Sequence, residues 1–275
     1  MSAKILQGEA IAKRILEDLK RKVKPKLKLA VIQVGNNPVS EKYIQKKQEA
    51  AKSIGVDLRL YKFPQNVSQE ELKIQVQAIG SDKEVSGMIV QLPLPKHLDT
   101  QEILDAIPLE KDVDVLSSAS FGLFALGKSS VLPPTVGAVS LLLKEHHMDI
   151  KGKNIVIVGA GRLVGLPLTI WCIHQGATVT VANEYTKDLP SLTKKAEILI
   201  SGVGRAGLIK GDMVQTGAVV IDAGTSVEGE HTLGDVDFES VAKKAGFLTP
   251  VPGGVGPLTV VYLLRNLIEL AQSNQ

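Results

Sequence analysis

Only one cysteine, Cys172, occurs among 275 residues. An internal disulfide is therefore excluded, and the usage fits a reducing compartment. The neighbours of Cys172 in a helical pattern are apolar, which reads as core. Long hydrophobic runs are missing too. No apolar stretch reaches membrane-spanning length, and none follows a basic N-terminal region as in a secretion signal. The expectation is a cytoplasmic protein with no membrane partner. An excess of one charge is also lacking. Thirty-two basic against twenty-nine acidic side chains leave a formal +3 that is scattered along the chain, which argues against nucleic acid as a partner. The one basic run, Lys20 to Lys28, reads as a solvated helix end and loop. Internal repeats and low-complexity tracts are absent.

What is present is an ordinary globular composition, 44% hydrophobic and 22% charged, in a chain long enough for about two domains. The densest local signal is Thr249-Pro250-Val251-Pro252-Gly253-Gly254-Val255-Gly256-Pro257-Leu258-Thr259, just before an apolar helical run. Glycine lets backbone approach a ligand and proline fixes φ, so the segment reads as a rigid loop presenting N–H groups to something small.

Short β-rich runs alternate with amphipathic helical stretches, the pattern of parallel sheets covered by helices. Strands are expected at Leu27 to Val34, Leu58 to Phe63 and Ser86 to Gln91. Helices are expected from a Ser40 cap to about Ser53, over Gln69 to Ile79, and around Gln101 to Ala106. Residues 117–130 show little periodicity, and the domain boundary is placed there or just after. A second unit then opens with a helix over about Val136 to His146. Its strands are expected at Asn154 to Val158, Thr178 to Ala182, Glu197 to Ser201, Ala218 to Asp222 and Gly246 to Leu248. The pair His146-His147 lacks a second ligand one helical turn away, so a helix end is read there and no metal.

Gly159-Ala160-Gly161-Arg162-Leu163-Val164-Gly165 lies between a β-run and a helix. Helix N–H groups and glycine backbone at such a turn hold a pyrophosphate. The spacing is one residue longer than the usual fingerprint, and a bare strand-to-helix turn would look similar, so the complete βαβ context carries the reading. Asn183 and Glu184 follow the next strand, where a carboxylate accepts from a ribose 2′-hydroxyl and repels a 2′-phosphate. NAD is favoured over NADP, with Arg162 or Lys187 as the residues able to reverse that preference.

In the first half, Tyr43 and Lys47 share one helix face. Lys42, Lys46 and Lys47 together would ordinarily mark a wet surface. Gln91 changes that reading, because it ends a strand at the carboxyl edge of a sheet, where open α/β proteins bind ligands. A desolvated Lys47 can move protons near neutrality, and a neutral amide from Gln91 orients the amine without holding a charge on it.

These segments, with Val34-Gly35-Asn36-Asn37-Pro38-Val39-Ser40, Val90-Gln91-Leu92-Pro93-Leu94-Pro95, Lys111-Asp112-Val113-Asp114, Gly234-Asp235-Val236 and the 249–259 loop, occur in family order over essentially the whole chain. Together they resemble the methylenetetrahydrofolate dehydrogenase/cyclohydrolase family. The resemblance implies a two-domain α/β fold. An N-terminal folate/catalytic domain, 1–130, with helix 257–275 packing back on it, joins a Rossmann-like domain, 131–256, across a cleft. It implies oxidation of 5,10-methylenetetrahydrofolate and hydrolysis of the methenyl product to 10-formyltetrahydrofolate. Lys47 then matches the acid/base, with Gln91 tuning it and Tyr43 packing on the folate. Asp114, Pro252, Gly253 and Gly256 match folate-side positions. Gly159, Gly161, Arg162, Gly165, Glu184, Gly254 and Thr259 match cofactor-side positions. No metal is required, and a homodimer joined through the cofactor domain is implied. A dehydrogenase with little cyclohydrolase activity and a non-catalytic folate- or nucleotide-binding regulator remain alternatives. The chain departs from the commoner family pattern at Val115, where glycine is frequent, and at Pro133-Pro134-Thr135-Val136. It departs again at Gly159-Ala160-Gly161 and at Glu184, the last being consistent with NAD.

Overall fold

Parallel β-pairing organises both halves of the chain in a computed structural model that describes residues 2–23, 27–229 and 231–273. Lys24, Pro25 and Lys26 of the basic run lie outside the described residues; Lys20, Arg21 and Lys22 form the last turn of a helix, where they oppose the negative end of its dipole. The first elements are β1 (Lys4–Ile5), α1 (Glu9–Lys22), β2 (Lys28–Val34), α2 (Pro38–Ile54), β3 (Asp57–Phe63), α3 (Gln69–Ser81), β4 (Gly87–Val90), α4 (Thr100–Leu104) and α5 (Ser118–Ala125). There follow α6 (Pro134–Glu145), β5 (Asn154–Val158), α7 (Gly165–His174), β6 (Thr178–Ala182), α8 (Leu189–Thr193) and β7 (Ile198–Ser201). The chain closes with β8 (Val219–Asp222), β9 (Ser226–Glu228), β10 (His231–Leu233), α9 (Phe238–Ala242), β11 (Phe247–Leu248) and α10 (Val255–Ser273).

The chain divides into two units, Lys13–Pro134 with Val260–Gln275, and Met1–Ala12 with Thr135–Thr259. This differs from the expected 1–130 at its start. Residues 1–12 belong to the second unit because β1 pairs in parallel with β11, Lys4 opposite Phe247 and Ile5 opposite Leu248, and buries Leu6 completely.

In the unit built on Lys13–Pro134, a three-stranded parallel sheet has the order β3-β2-β4. Strand β2 is apolar almost throughout because it is central and covered on both faces. Its core joins Ala30, Ile32 and Val34 to Leu72, Val76, Met88 and Ile103. Helix α3 starts where the Ser68 side chain accepts from Glu71 N–H, and α4 where Asp99 accepts from Glu102 N–H. The α2 cap is Asn37 rather than Ser40: the Asn37 Oδ1 accepts from Ser40 N–H at 3.1 Å, and Ser40 is buried one turn in.

The other unit carries a six-stranded, all-parallel sheet of order β1-β11-β8-β7-β5-β6 and a separate antiparallel hairpin, β9-β10. Its core includes Val156, Val158, Leu199, Ile209, Val220, Val241 and Leu248. In both sheets the strand order reverses beside the first strand of the βαβ run. From β2 the chain goes to β3 on one side and β4 on the other, and from β5 to β6 on one side and β7 on the other. Each reversal opens a crevice at the carboxyl edge, the usual ligand position in such sheets.

Candidate active site

In the smaller sheet, the crevice lies between the ends of β2 and β4. Gln91 follows β4 directly, its N–H still bonded to Ile32 O at 2.8 Å. Lys47 comes from α2, the helix after β2, and its Nζ donates to Gln91 Oε1 at 2.9 Å. The other end of the Gln91 amide is fixed as well, because Nε2 donates to Leu92 O at 2.9 Å. The carbonyl oxygen therefore has to face the amine. Tyr43 stands one helical turn before Lys47 on the same face and is half-buried.

Burial pushes the Lys47 pKa down, and the nearby Asp114 carboxylate opposes that shift. Asp114 itself is pushed up to about 6, by burial first, against the attraction of Lys47 and with repulsion from Asp112 adding to the rise. Both shifts bring the two charged groups toward neutrality, the condition in which an amine accepts a proton at ordinary pH. Lys47 thus occupies no wet surface, although Lys42 and Lys46 on the same helix are exposed.

Asp114 sits in a braced segment. The Asp112 carboxylate accepts from Leu116 N–H at 3.0 Å and Ser117 N–H at 2.8 Å, and from the Ser120 hydroxyl. Residues 118–125, where no element was expected, form α5, capped by Ser117. The short helix has an apolar sequence, SASFGLFA, without a polar face, so periodicity could not reveal it.

In the six-stranded sheet, the crevice between β5 and β7 receives the Gly159–Gly165 turn. Gly159 has φ +102°, and a Cβ there would lie 2.7 Å from Gly202 O. A Cβ on Gly165, which opens α7, would collide with Gly159 O, whereas one on Gly161 would meet nothing within 4 Å. Two of the three glycines are thus required by packing, and the third faces open space at the start of a helix. Among the described residues no side chain caps α7. This combination of open backbone and helix N-terminus fits a pyrophosphate. Arg162 is exposed on the same turn. Glu184 lies in the exposed turn after β6, held by an Asn183 side chain that accepts from Tyr185 N–H at 3.1 Å.

The 249–259 loop also leaves the carboxyl edge of this sheet, after β11. Gly253 has φ +103°, and its carbonyl accepts from Gly8 N–H at 2.8 Å and Glu9 N–H at 3.2 Å, at the start of α1. Gly253 and Gly254 are buried, while Pro252 and Gly256 are exposed. The Thr259 hydroxyl donates back to Gly256 O at 2.7 Å within α10. At the same edge the sequence reading missed a pair of buried acids. Asp235 accepts from Ser201 Oγ and from Val203 and Arg205 N–H, and Asp222 accepts from Gly224, Asp235 and Val236 N–H.

Two family models match the chain: tetrahydrofolate dehydrogenase/cyclohydrolase, catalytic domain, over residues 6–114, and the NAD(P)-binding domain of the same family over residues 133–275. The chain belongs to the tetrahydrofolate dehydrogenase/cyclohydrolase family. Among the relatives of this family, the bifunctional protein FolD of Nitratiruptor sp. is 41% identical, covering 98% of this chain and 99% of that protein. The crystal structure of the Campylobacter jejuni bifunctional enzyme FolD superimposes with a TM-score of 0.95 at 39% identity, covering 100% of both chains. A Trypanosoma brucei family member, solved with NADP and an inhibitor, gives a TM-score of 0.95 at 33% identity, covering 100% of this chain and 99% of that one. The larger parallel sheet is thus that of the family's nicotinamide-cofactor domain.

Proposed function

We propose that the protein oxidises 5,10-methylenetetrahydrofolate to 5,10-methenyltetrahydrofolate and hydrolyses that product to 10-formyltetrahydrofolate. The observation that carries the reading is the Lys47–Gln91 pair, a desolvated amine held at 2.9 Å by an uncharged acceptor.

In the hydrolytic step, neutral Lys47 takes a proton from the water that attacks the methenyl carbon. A C–O bond forms, one C–N bond of the ring breaks, and Lys47 hands a proton to the departing nitrogen. Overall the step consumes one water and releases one proton. Gln91 fixes the direction of the amine through both reactions, while a carboxylate in its place would keep Lys47 charged. Asp114 accepts hydrogen bonds from the aminopyrimidinone edge of the pterin, and Tyr43 packs on its ring. Pro252, Gly253 and Gly256 are the folate-side part of the 249–259 loop.

A bound nicotinamide supplies the hydride acceptor for the first step. Gly159, Gly161, Arg162 and Gly165 would hold its pyrophosphate, Glu184 its adenosine ribose, and Gly254 and Thr259 its nicotinamide half. Glu184 favours NAD over NADP, since a carboxylate accepts from a 2′-hydroxyl and repels a 2′-phosphate. The Trypanosoma brucei relative holds NADP, which makes the cofactor preference a property to be measured chain by chain. The reading further includes a cytoplasmic homodimer joined through the cofactor domain. No described helix is long and apolar enough to cross a membrane.

The test is the initial rate of methenyltetrahydrofolate formation with NAD⁺ and NADP⁺ side by side over a range of cofactor concentrations. A preference for NAD⁺ is expected. An NADP⁺ preference overturns the role of Glu184 and points to Arg162 or Lys187, and no turnover with either replaces the enzyme by a binding protein.

A further inference from the structure

Asn266 is a polar residue in an apolar stretch of α10, 1% exposed, and the proposed chemistry does not use it. Its Nδ2 donates to Val113 O at 2.9 Å and to Leu132 O at 2.7 Å, across sequence separations of 153 and 134 residues. Its Oδ1 is buried and has no hydrogen-bond partner among the described residues. A buried amide with one unsatisfied end is costly and is replaceable by an apolar side chain unless its donors are needed. Here both donors are engaged on one side, and one of them holds the carbonyl immediately before Asp114.

The same segment is held from the other side. Asp112 is 1% exposed, and its carboxylate gathers the backbone of Leu116 and Ser117. Gly87 of β4 lets the segment approach closely, since a Cβ there would lie 2.6 Å from the Val113 and Leu267 side chains. Between these fixings, Val115 adopts φ +58°, a left-handed conformation that a β-branched residue takes only where the surroundings over-determine it. The backbone on both sides of Asp114 is therefore locked, by Asn266 at Val113 and by Asp112 beyond Val115.

We infer that Asn266 is a positioning residue for the folate site: through the Val113 carbonyl it fixes the Asp114 carboxylate within electrostatic reach of Lys47. The inference rests on the proposed roles of Asp114 and Lys47 and adds a residue outside the segments that marked the family. The charged groups around Asp114 are Lys47 on α2 and Asp112 on its own segment, and Asp114 is the one that acts on Lys47. Displacing Asp114 removes the influence that holds the Lys47 pKa up. The acid limb of the cyclohydrolase pH–rate profile then moves to lower pH.

The experiment is a double-mutant cycle of Asn266→Ala with Asp114→Asn on the full chain, reading folate KM, cyclohydrolase kcat and the pH profile. Asn266→Ala alone is expected to lower cyclohydrolase kcat/KM about 10- to 100-fold, as small misplacements of a catalytic group do, and to shift the acid limb down. In the Asp114→Asn background it is expected to change kcat/KM less than about twofold and leave the profile in place. Losses that multiply, or a folded Asn266→Ala whose profile is unmoved, reduce Asn266 to a purely structural role and overturn the inference. If Asp114→Asn itself leaves folate KM unchanged, the role of Asp114 in the proposed function fails, and this inference with it. Should Asn266→Ala not fold, Asn266→Ser, whose hydroxyl still donates to one carbonyl, carries the same cycle with the same readings.

Discussion

Both sheets bury ionisable side chains at their carboxyl edges, the Lys47 group in the three-stranded sheet and the Asp222–Asp235 group in the six-stranded one, and they provide for the charge in opposite ways. Lys47 has one neutral acceptor and an acid whose own charge is suppressed by burial. Asp235 is completely buried, yet three donors converge on it, and Asp222 receives three backbone N–H groups. An under-provided charge changes its protonation readily, which is what proton transfer needs. A fully provided carboxylate instead ties loops together. Here it ties the loops after β7 and β8 to the 234–236 turn, at the edge where the glycine turn lies. Burial alone therefore does not tell the two groups apart: Lys47 donates to a single neutral acceptor, whereas Asp222 and Asp235 each gather three donors.

The sharpest way to break this comparison is Lys47→Met. If the under-provided amine does the chemistry, cyclohydrolase kcat falls by about 10² to 10⁴, the usual range for a lost general acid–base, while folate still binds and the unfolding midpoint stays close to wild type. Stopped-flow decay of methenyltetrahydrofolate and equilibrium folate titration give the two numbers. Unchanged hydrolysis would remove Lys47 from the mechanism.

The converse variant is Asp235→Ala. It leaves the Ser201 hydroxyl and the Val203 and Arg205 N–H groups without their acceptor. Each buried orphan costs about 1–3 kcal/mol, and allowing for partial relaxation the expected loss of folding stability is about 4 kcal/mol, read from urea unfolding. Cofactor affinity should fall too. The side chain of Val164, in the glycine turn, packs so closely on Gly202 that a Cβ there would collide with it, and Asp235 holds the adjoining Val203. A wild-type unfolding curve would show that the acids are not the tie between these loops.

Apart from β1, the strands of both sheets were legible to within a residue or so: the central ones, covered on both faces, are near-continuous apolar runs, while the edge strands β3 and β6 alternate between apolar and polar residues. Lys47 and Gln91 were legible as a pair because one sits on the helix after β2 and the other ends β4, so that topology alone brings them to one edge. Several other features were not. Helix α5 lacks a polar face, and the β9-β10 hairpin is formed by three-residue strands, too short for alternation to register. The N-terminal segment joins the far sheet through pairing with β11, a contact 243 residues away in register that no local pattern encodes. Asp222 and Asp235 did leave a trace. Gly224 and Gly234 stand beside them, and a Cβ at either glycine would run into the opposite carboxylate, so the spacing of Asp222 to Gly224 and Gly234 to Asp235 reflects the room the two acids need.

A smaller effect sharpens the comparison from the acid side. Despite its three N–H partners, Asp222 is pushed up to about 6 by burial, with the neighbouring Asp235 adding to the rise. Its folded form thus holds a proton more tightly than the unfolded chain, whose aspartates titrate near 3.9. Between about pH 4 and pH 6 the folded state binds more protons than the unfolded state, so the Asp222 contribution to stability is greatest in acid, declines as pH rises through this window, and is level above it. The difference is about 3 kcal/mol for a shift of about two pH units. A carboxyl ¹³C titration of Asp222 in the folded protein should therefore have its midpoint near 6. A midpoint below 4 would mean that the backbone donors outweigh desolvation, so that the buried acid keeps its charge where burial pushes Lys47 toward losing its own.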